Sequence, residues 1–89
     1  MSMTMTLAVL NGRKFQDVLR QIRLTSGMSQ TQLAEIVDVA QPVVSCWERG
    51  EHYPSIERIA RLEQVFGLEK GALLVRAAYE MLSKQELNS

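Results

Sequence analysis

Two glutamines stand at the start of two short apolar segments, where their side chains can make hydrogen bonds to another molecule. Gln30 follows Ser29, and Gln41 precedes Pro42. Each carboxamide presents an acceptor and two donors, which suits recognition by hydrogen bonding. One histidine and one cysteine are too few for the usual His/Cys zinc site. The sequence contains no nucleophile–base pair, metal cluster or phosphate-binding glycine loop. It therefore predicts a binding protein with no enzymatic activity and no cofactor.

The composition is typical of a single globular domain. Hydrophobic residues make up 46% and charged residues 22% of 89 positions, which excludes a disordered chain. Ten Lys and Arg balance ten Asp and Glu, so the chain is neither strongly basic nor acidic. The single cysteine cannot form an internal disulfide, and no apolar run approaches the ~20 residues of a membrane span. We therefore expect a cytoplasmic protein with no membrane contact.

Glycines divide the chain into segments with the apolar spacing of amphipathic helices, so the predicted fold class is all-α. The five predicted helices cover about residues 13–26, 29–37, 41–49, 55–66 and 69–84. Residues 1–11 alternate in polarity and are expected to form a flexible or short extended segment. Residues 12–89 are predicted to form a single domain that ends in an extended helix.

Local signals define the helix starts. Asn11 is the predicted N-cap of the first helix, and Ser55 is that of the fourth. Ser29 and Gln32 have the spacing of a capping box. Pro42 suits the first turn of the third helix, where its missing N–H has no intrahelical partner. On the fourth helix the residues expected on the buried side are Ile56, Ile59, Leu62 and Phe66.

Residues 29–55 contain a pattern that resembles the phage Cro/repressor (XRE) helix-turn-helix family. The matching runs are Ser29-Gln-Thr-Gln-Leu-Ala34, Val39-Ala-Gln-Pro-Val-Val-Ser-Cys-Trp-Glu-Arg-Gly50 and Pro54-Ser55. The resemblance extends over about residues 15–74. It implies a five-helix, lambda-repressor-like domain whose second and third helices form the helix-turn-helix. It also implies sequence-specific binding of double-stranded DNA, with the third helix in the major groove.

The third helix would present its exposed side chains to base edges. Gln41 is predicted to read a base, because its carboxamide matches the N6 donor and N7 acceptor of adenine. Pro42 and Val43 either contact a thymine methyl group or serve only to start the helix and pack. Ser45 can bond a phosphate or a base. Cys46 is expected on the same side, as a small residue that leaves room for DNA.

Phosphate contacts are predicted around the two ends of this motif. The resemblance implies that Gln30 bonds a DNA phosphate, and a helix N-terminus attracts anions on physical grounds as well. Further candidates for phosphate contact are Arg49, His52 and Tyr53.

The resemblance also implies an internal ion pair between Arg23 and Glu48. Three other positions depart from the family pattern. Asp38 stands at a turn where glycine is usual, which costs stability without changing the fold because Asp tolerates the left-handed conformation. Ala40 replaces a Ser or Thr cap, at a cost of about 1 kcal/mol. Glu51 stands where a basic residue is common, which weakens the case for a phosphate contact there.

The fifth predicted helix carries more apolar surface than one core needs. One stripe, expected to close the core, contains Leu74, Ala77, Ala78 and Met81. A second stripe contains Val75, Tyr79 and Leu82 and is expected to pack against another surface outside this core. The predicted dimerisation residues are Leu74, Val75, Ala78, Tyr79, Met81 and Leu82. The alternative is one wide core-facing stripe in a monomer.

These observations predict a homodimeric transcriptional repressor that acts on an inverted-repeat operator. One alternative is an antitoxin that represses its own operon and also binds a toxin protein. A second is a controller of a restriction–modification system. A third is an interaction domain without DNA binding, which the zero net charge and Glu51 favour and which Gln30 and Gln41 oppose.

Overall fold

The computed structural model describes residues 14–88, with side chains described for residues 14–82. This part of the chain forms five α-helices and no strand. The helices are α1 (Phe15–Thr25), α2 (Gln30–Ile36), α3 (Gln41–Glu48), α4 (Ile56–Val65) and α5 (Ala72–Asn88). The predicted all-α, five-helix fold is confirmed, whereas the predicted segment 1–11 lies outside the described residues. No described helix has the length and hydropathy needed to cross a membrane.

One apolar face from each helix contributes to a shared core. The buried side chains include Phe15, Leu19, Ile22, Leu33, Val44, Trp47, Ile59, Leu62, Leu73 and Ala77. Helices α2 and α3 pack against each other, α1 packs on α3 and α5, and α5 packs on α4. Helix α3 has a buried side with Val44 and Trp47 and an accessible side with Pro42 and Val43, which the sequence predicted to be exposed.

The start of α2 follows the local prediction. Ser29 Oγ accepts a hydrogen bond from the backbone N–H of Gln32 at 3.0 Å, and Gln32 Oε1 accepts one from the Ser29 N–H at 2.8 Å. This is the predicted capping box. It satisfies two backbone donors at the end of a helix of only 7 residues, which is too short to be stable alone.

The turn between α2 and α3 contains Asp38 in the left-handed conformation, with φ of 60°. Glycine adopts this region without strain, and Asp adopts it at a small cost. Arg58 Nη2 donates to the Asp38 carbonyl at 3.3 Å, which connects the turn to α4. As predicted, the N-cap position of α3 is Ala40, which makes no side-chain capping hydrogen bond, and Pro42 lies in the first turn of the helix.

A buried carboxylate on α4 accepts hydrogen bonds from the start of α5. Glu63 accepts from the backbone N–H groups of Gly71 at 2.9 Å, Leu73 at 2.9 Å and Leu74 at 3.1 Å. The first N–H groups of a helix have no intrahelical partner, and negative charge is favourable beside them. The helix therefore begins at Ala72, later than the predicted position 69, where Glu63 can satisfy these donors.

Glu80 on α5 has a similar role at the start of α1. Its carboxylate accepts from the backbone N–H of Phe15 and from the Tyr53 hydroxyl, the latter at 3.2 Å. The N-cap position of α1 is Lys14, whose side chain makes no capping hydrogen bond. The prediction of Asn11 as the N-cap was wrong, since a carboxylate from another helix accepts the hydrogen bond instead.

The apolar registers of α4 and α5 differ from the predictions. Leu73 and Ala77 are fully buried, whereas Met81, expected on the core-facing stripe, is 44% exposed. Leu74 is partly buried against the core. On α4, Ile56 is exposed although it was expected on the buried side. Several neighbouring apolar stripes fit a helix of this composition, and the contacts with other helices select one of them.

Replacing Glu63 with alanine should lower the free energy of unfolding by about 3 kcal/mol. Three N–H groups lose a charged acceptor, and a hydrogen bond to a charged group contributes about 1.5–3 kcal/mol. Urea unfolding followed by circular dichroism measures the loss. Gln64→Ala, at an exposed neighbour on α4, is the control and should stay within about 0.5 kcal/mol of the wild type. Equal effects for the two variants would contradict the role given to Glu63.

Candidate nucleic-acid interface

A continuous chain of side-chain hydrogen bonds joins α1 to the first turns of α2 and α3. Arg23 Nε donates to Glu48 Oε2 at 2.6 Å, and Arg23 Nη2 donates to Glu48 Oε1 at 3.0 Å. Gln30 Nε2 donates to the same Glu48 Oε1 at 3.1 Å. Gln41 Nε2 then donates to Gln30 Oε1 at 2.7 Å. A buried ion pair thus holds the two glutamines that the sequence singled out.

The ion pair is present as the family resemblance implied, with both side chains buried. Hydrogen bonds to Glu48 raise the pKa of the Arg23 guanidinium, although its burial acts in the opposite direction. Arg23 Nη1 also donates to the carbonyl of Met28 at 2.8 Å, which orders the connection from α1 to α2. Removing either member of such a pair leaves an unpaired buried charge, at a cost of about 3–5 kcal/mol.

The ionised carboxylate determines which way both carboxamides point. Because Glu48 only accepts hydrogen bonds, Gln30 must turn its NH₂ group toward Glu48 and its oxygen toward Gln41. Gln41 must therefore present its own NH₂ group to Gln30. This leaves Gln41 with one N–H donor and a carbonyl oxygen, the pair that matches N7 and N6 of adenine. Gln30 keeps one N–H, which suits a phosphate oxygen.

The residues predicted to contact bases lie on the solvent-accessible side of α3. Pro42 and Val43 are exposed, and Gln41, Ser45 and Cys46 are partly buried. The opposite side of the helix is the buried side that contains Trp47. The fold therefore brings all five together on one accessible surface, although their contacts with bases stay a prediction.

Arg49, a predicted phosphate contact, makes hydrogen bonds within its own domain. Its Nε and Nη2 donate to the two Glu51 oxygens at 2.6 and 3.2 Å. Nη2 also donates to Cys46 Sγ at 3.4 Å, and Nη1 donates to Ser45 Oγ. Its hydrogen bonds to Glu51 raise the pKa of Arg49 and lower that of the Glu51 carboxyl. Both groups therefore stay charged around neutral pH.

Tyr53 and His52 occupy different environments in the loop after α3. The Tyr53 ring lies 5.7 Å from that of Phe15, centroid to centroid, and its hydroxyl donates to Glu80. These contacts pack the loop on the core, so a phosphate contact by Tyr53 has no support from its position. His52 is exposed and lies with Val43, Cys46 and Arg58 along a groove of about 510 Å³ beside α3.

Sequence reasoning missed Glu63 and Glu80, although the chain carried a signal for each. Glu63 follows Ile59 by four residues and Glu80 follows Ala77 by three, so both occupy positions of a buried helical stripe. A carboxylate at such a position is rarely buried without a partner. Extending the apolar stripes through these charged positions would have identified both residues.

Comparison with known proteins identifies the family and the fold. The chain matches the family described as helix-turn-helix over residues 19–73, which contain α2, α3 and α4 in full. The chain belongs to this helix-turn-helix family. Over 61 residues it is 33% identical to the HTH-type transcriptional activator BcrR of Enterococcus faecalis. That match covers 68% of this chain and 30% of BcrR, so the chain spans less than a third of that relative.

Solved structures share the fold. The DNA-binding domain of the P22 c2 repressor has a TM-score of 0.65 and 26% identity, covering 72% of this chain and 84% of that domain. The clp gene regulator ClgR from Corynebacterium glutamicum has a TM-score of 0.62 and 27% identity, covering 83% of this chain and 79% of that one. The predicted family and the predicted repressor-like fold are confirmed.

The hydrogen bond between Gln30 and Gln41 predicts that their effects on DNA binding are coupled. Gln41→Ala should cost about 1–3 kcal/mol on the preferred duplex and relax selectivity at one base pair. Gln30→Ala should weaken binding to every duplex and relax selectivity at the same base pair, because Gln41 loses the partner that orients it. The loss of binding free energy in the double variant should be smaller than the sum of the two single losses by at least about 0.5 kcal/mol.

Competition binding with single-base variants of the duplex measures these effects. Gln64→Ala removes an exposed carboxamide elsewhere and should leave affinity and selectivity unchanged. Additive losses, or full selectivity in Gln30→Ala, would contradict the coupling.

Proposed function

We propose that the protein is a sequence-specific DNA-binding repressor of transcription, which acts as a homodimer on an inverted-repeat operator. The observation that carries the proposal is the carboxamide pair at the start of α2 and α3. Glu48 orients Gln30 and Gln41 so that donors and an acceptor stay open toward the accessible side of α3. Oriented groups of this kind suit a base edge and a neighbouring phosphate. The proposed activity is binding without catalysis.

The groove beside α3 supports a path for the DNA backbone. Arg58 and His52 line it next to Ser55, the N-cap of α4. Arg58 Nε is buried and has no hydrogen-bond partner among the described residues. A cation beside a helix N-terminus favours an anion such as a phosphate. This position fits the predicted phosphate contact of His52.

The exposed stripe of α5 supports the homodimer. Val75 and Tyr79 are each 70% exposed, and Leu82 is 62% exposed. Their spacing aligns them along one side of the helix. Met81 is exposed beside them, whereas Leu74 and Ala78 are partly buried and contribute less surface. A second copy packed on this stripe would place two α3 helices in successive major grooves.

Selection from a random duplex library should yield two inverted half-sites whose centres lie about one helical turn, ~10 bp, apart. Footprinting of the selected duplex should show symmetric protection, and a reporter with this site in its promoter should lose transcription. A protected site without inverted symmetry would contradict the dimer. A rise in transcription would make the protein an activator, the role named for BcrR. Failure to enrich any duplex would leave the interaction domain without DNA binding as the function.

Tyr79→Glu and Leu82→Glu should each weaken self-association, because a charge would be buried at the centre of the interface. Sedimentation measures the association, and circular dichroism confirms that the monomer stays folded. Leu24→Glu introduces the same charge at an exposed apolar position on α1 and should leave association unchanged. A wild-type protein that is monomeric at micromolar concentration would contradict the interface.

A further inference from the structure

The helix-turn-helix segment, residues 28–55, has an unusual charge distribution for a segment that meets DNA. Arg49 is the only Lys or Arg between positions 24 and 57. Residues 28–55 contain the four carboxylates Glu35, Asp38, Glu48 and Glu51. The Glu48 charge is matched by buried Arg23. Attraction to phosphates that does not depend on base sequence comes mainly from Lys and Arg, so on this segment it depends on Arg49.

Most of the N–H donors of Arg49, including the two that a bidentate partner would take, are already engaged. The pair with Glu51 is bidentate, with N···O distances of 2.6 and 3.2 Å. The same guanidinium also donates to Ser45 and Cys46, on the side of α3 predicted to face bases. A phosphate binds a guanidinium with the same bidentate geometry as a carboxylate. Glu51 therefore occupies the donors that a DNA phosphate would need.

We infer that Glu51 competes with DNA phosphates for Arg49 and so limits the part of DNA affinity that is independent of base sequence. The inference rests on the DNA-binding function proposed above. The pair is about half exposed on each side, and such pairs are weak enough for a phosphate to displace. Displacement, however, leaves the Glu51 carboxylate next to the phosphate backbone, where like charges repel. With the pair intact, this segment releases no counterion when it meets a duplex.

The consequence concerns discrimination between the operator and other DNA. The predicted base contacts come from neutral side chains, including Gln41, Val43 and Ser45, which contribute only where the bases match. Non-specific binding is almost wholly electrostatic, and genomic non-specific sites greatly outnumber operators. Neutralising Arg49 thus lowers retention on non-specific DNA while the base contacts are kept.

The test uses Glu51→Gln, which removes the charge and keeps the shape. Dissociation constants are measured for the selected operator and for a scrambled duplex between about 50 and 200 mM salt. Glu51→Gln should bind both duplexes more tightly than the wild type. The slope of log affinity against log salt should steepen by about 0.9. The ratio of the affinity of Glu51→Gln to that of the wild type should therefore fall about threefold across this range.

Two comparisons separate competition for Arg49 from a general effect of charge. Glu69→Gln makes the same charge change at an exposed position before α5 and should leave the salt slope unchanged. In an Arg49→Gln background, the further change Glu51→Gln should no longer steepen the slope. Thermal melting of each variant verifies that the fold is retained, as expected for an exposed pair.

Unchanged slopes in Glu51→Gln, or equal steepening in Glu69→Gln, would overturn the inference and leave DNA binding intact. Full steepening in the Arg49→Gln background would also overturn it, because Glu51 would then act on the phosphates directly. If neither the wild type nor Glu51→Gln binds any duplex at about 50 mM salt, the proposed function itself fails, and the inference fails with it.

Discussion

The buried ion pair between Arg23 and Glu48 is the interaction on which the candidate interface depends. Helices α2 and α3 are too short to be stable on their own, and this pair attaches α3 to α1 while the Met28 carbonyl anchors the connection to α2. Because the Glu48 carboxylate only accepts hydrogen bonds, it also imposes a direction on Gln30 and, through Gln30, on Gln41. A structural charge in the core thereby sets the pattern of donors and acceptors at the surface.

Two further buried or partly buried carboxylates connect the ends of the helices in the same way. Glu63 accepts from the first turn of α5, and Glu80 accepts from the start of α1 and from the Tyr53 hydroxyl. Glu80 is next to Tyr79 on α5, so the helix that carries the exposed apolar stripe also holds the loop after α3. Local capping is thus replaced by tertiary capping at both helices, and the proposed dimer surface is joined to the proposed DNA surface through one helix.

The helix-turn-helix segment, residues 28–55, carries little unpaired positive charge. The chain has no net charge, and the one cation of the motif segment is paired with Glu51. In the proposed DNA complex, this segment gains little from general attraction to phosphates, so the selectivity that we propose comes from oriented neutral groups. This is consistent with the ordered state of Gln30 and Gln41, since a carboxamide that is already oriented loses less entropy on binding.

The sequence by itself determined the presence of the five helices, the capping box at Ser29 and the residues on the accessible side of α3. Each of these depends on residues within about one or two helical turns of one another. The family resemblance added the left-handed turn at Asp38, the Arg23–Glu48 pair and the predicted phosphate contact of Gln30. Only the tertiary structure decided where α1 and α5 start and which apolar residues of α5 face the core. It also decided that the Arg49 side chain pairs with Glu51 and does not extend freely into solvent. The physical reason is that a capping carboxylate and the choice among apolar stripes depend on partners far away in the chain. An exposed arginine, in turn, has several possible partners close to it in sequence, and only their three-dimensional positions select one.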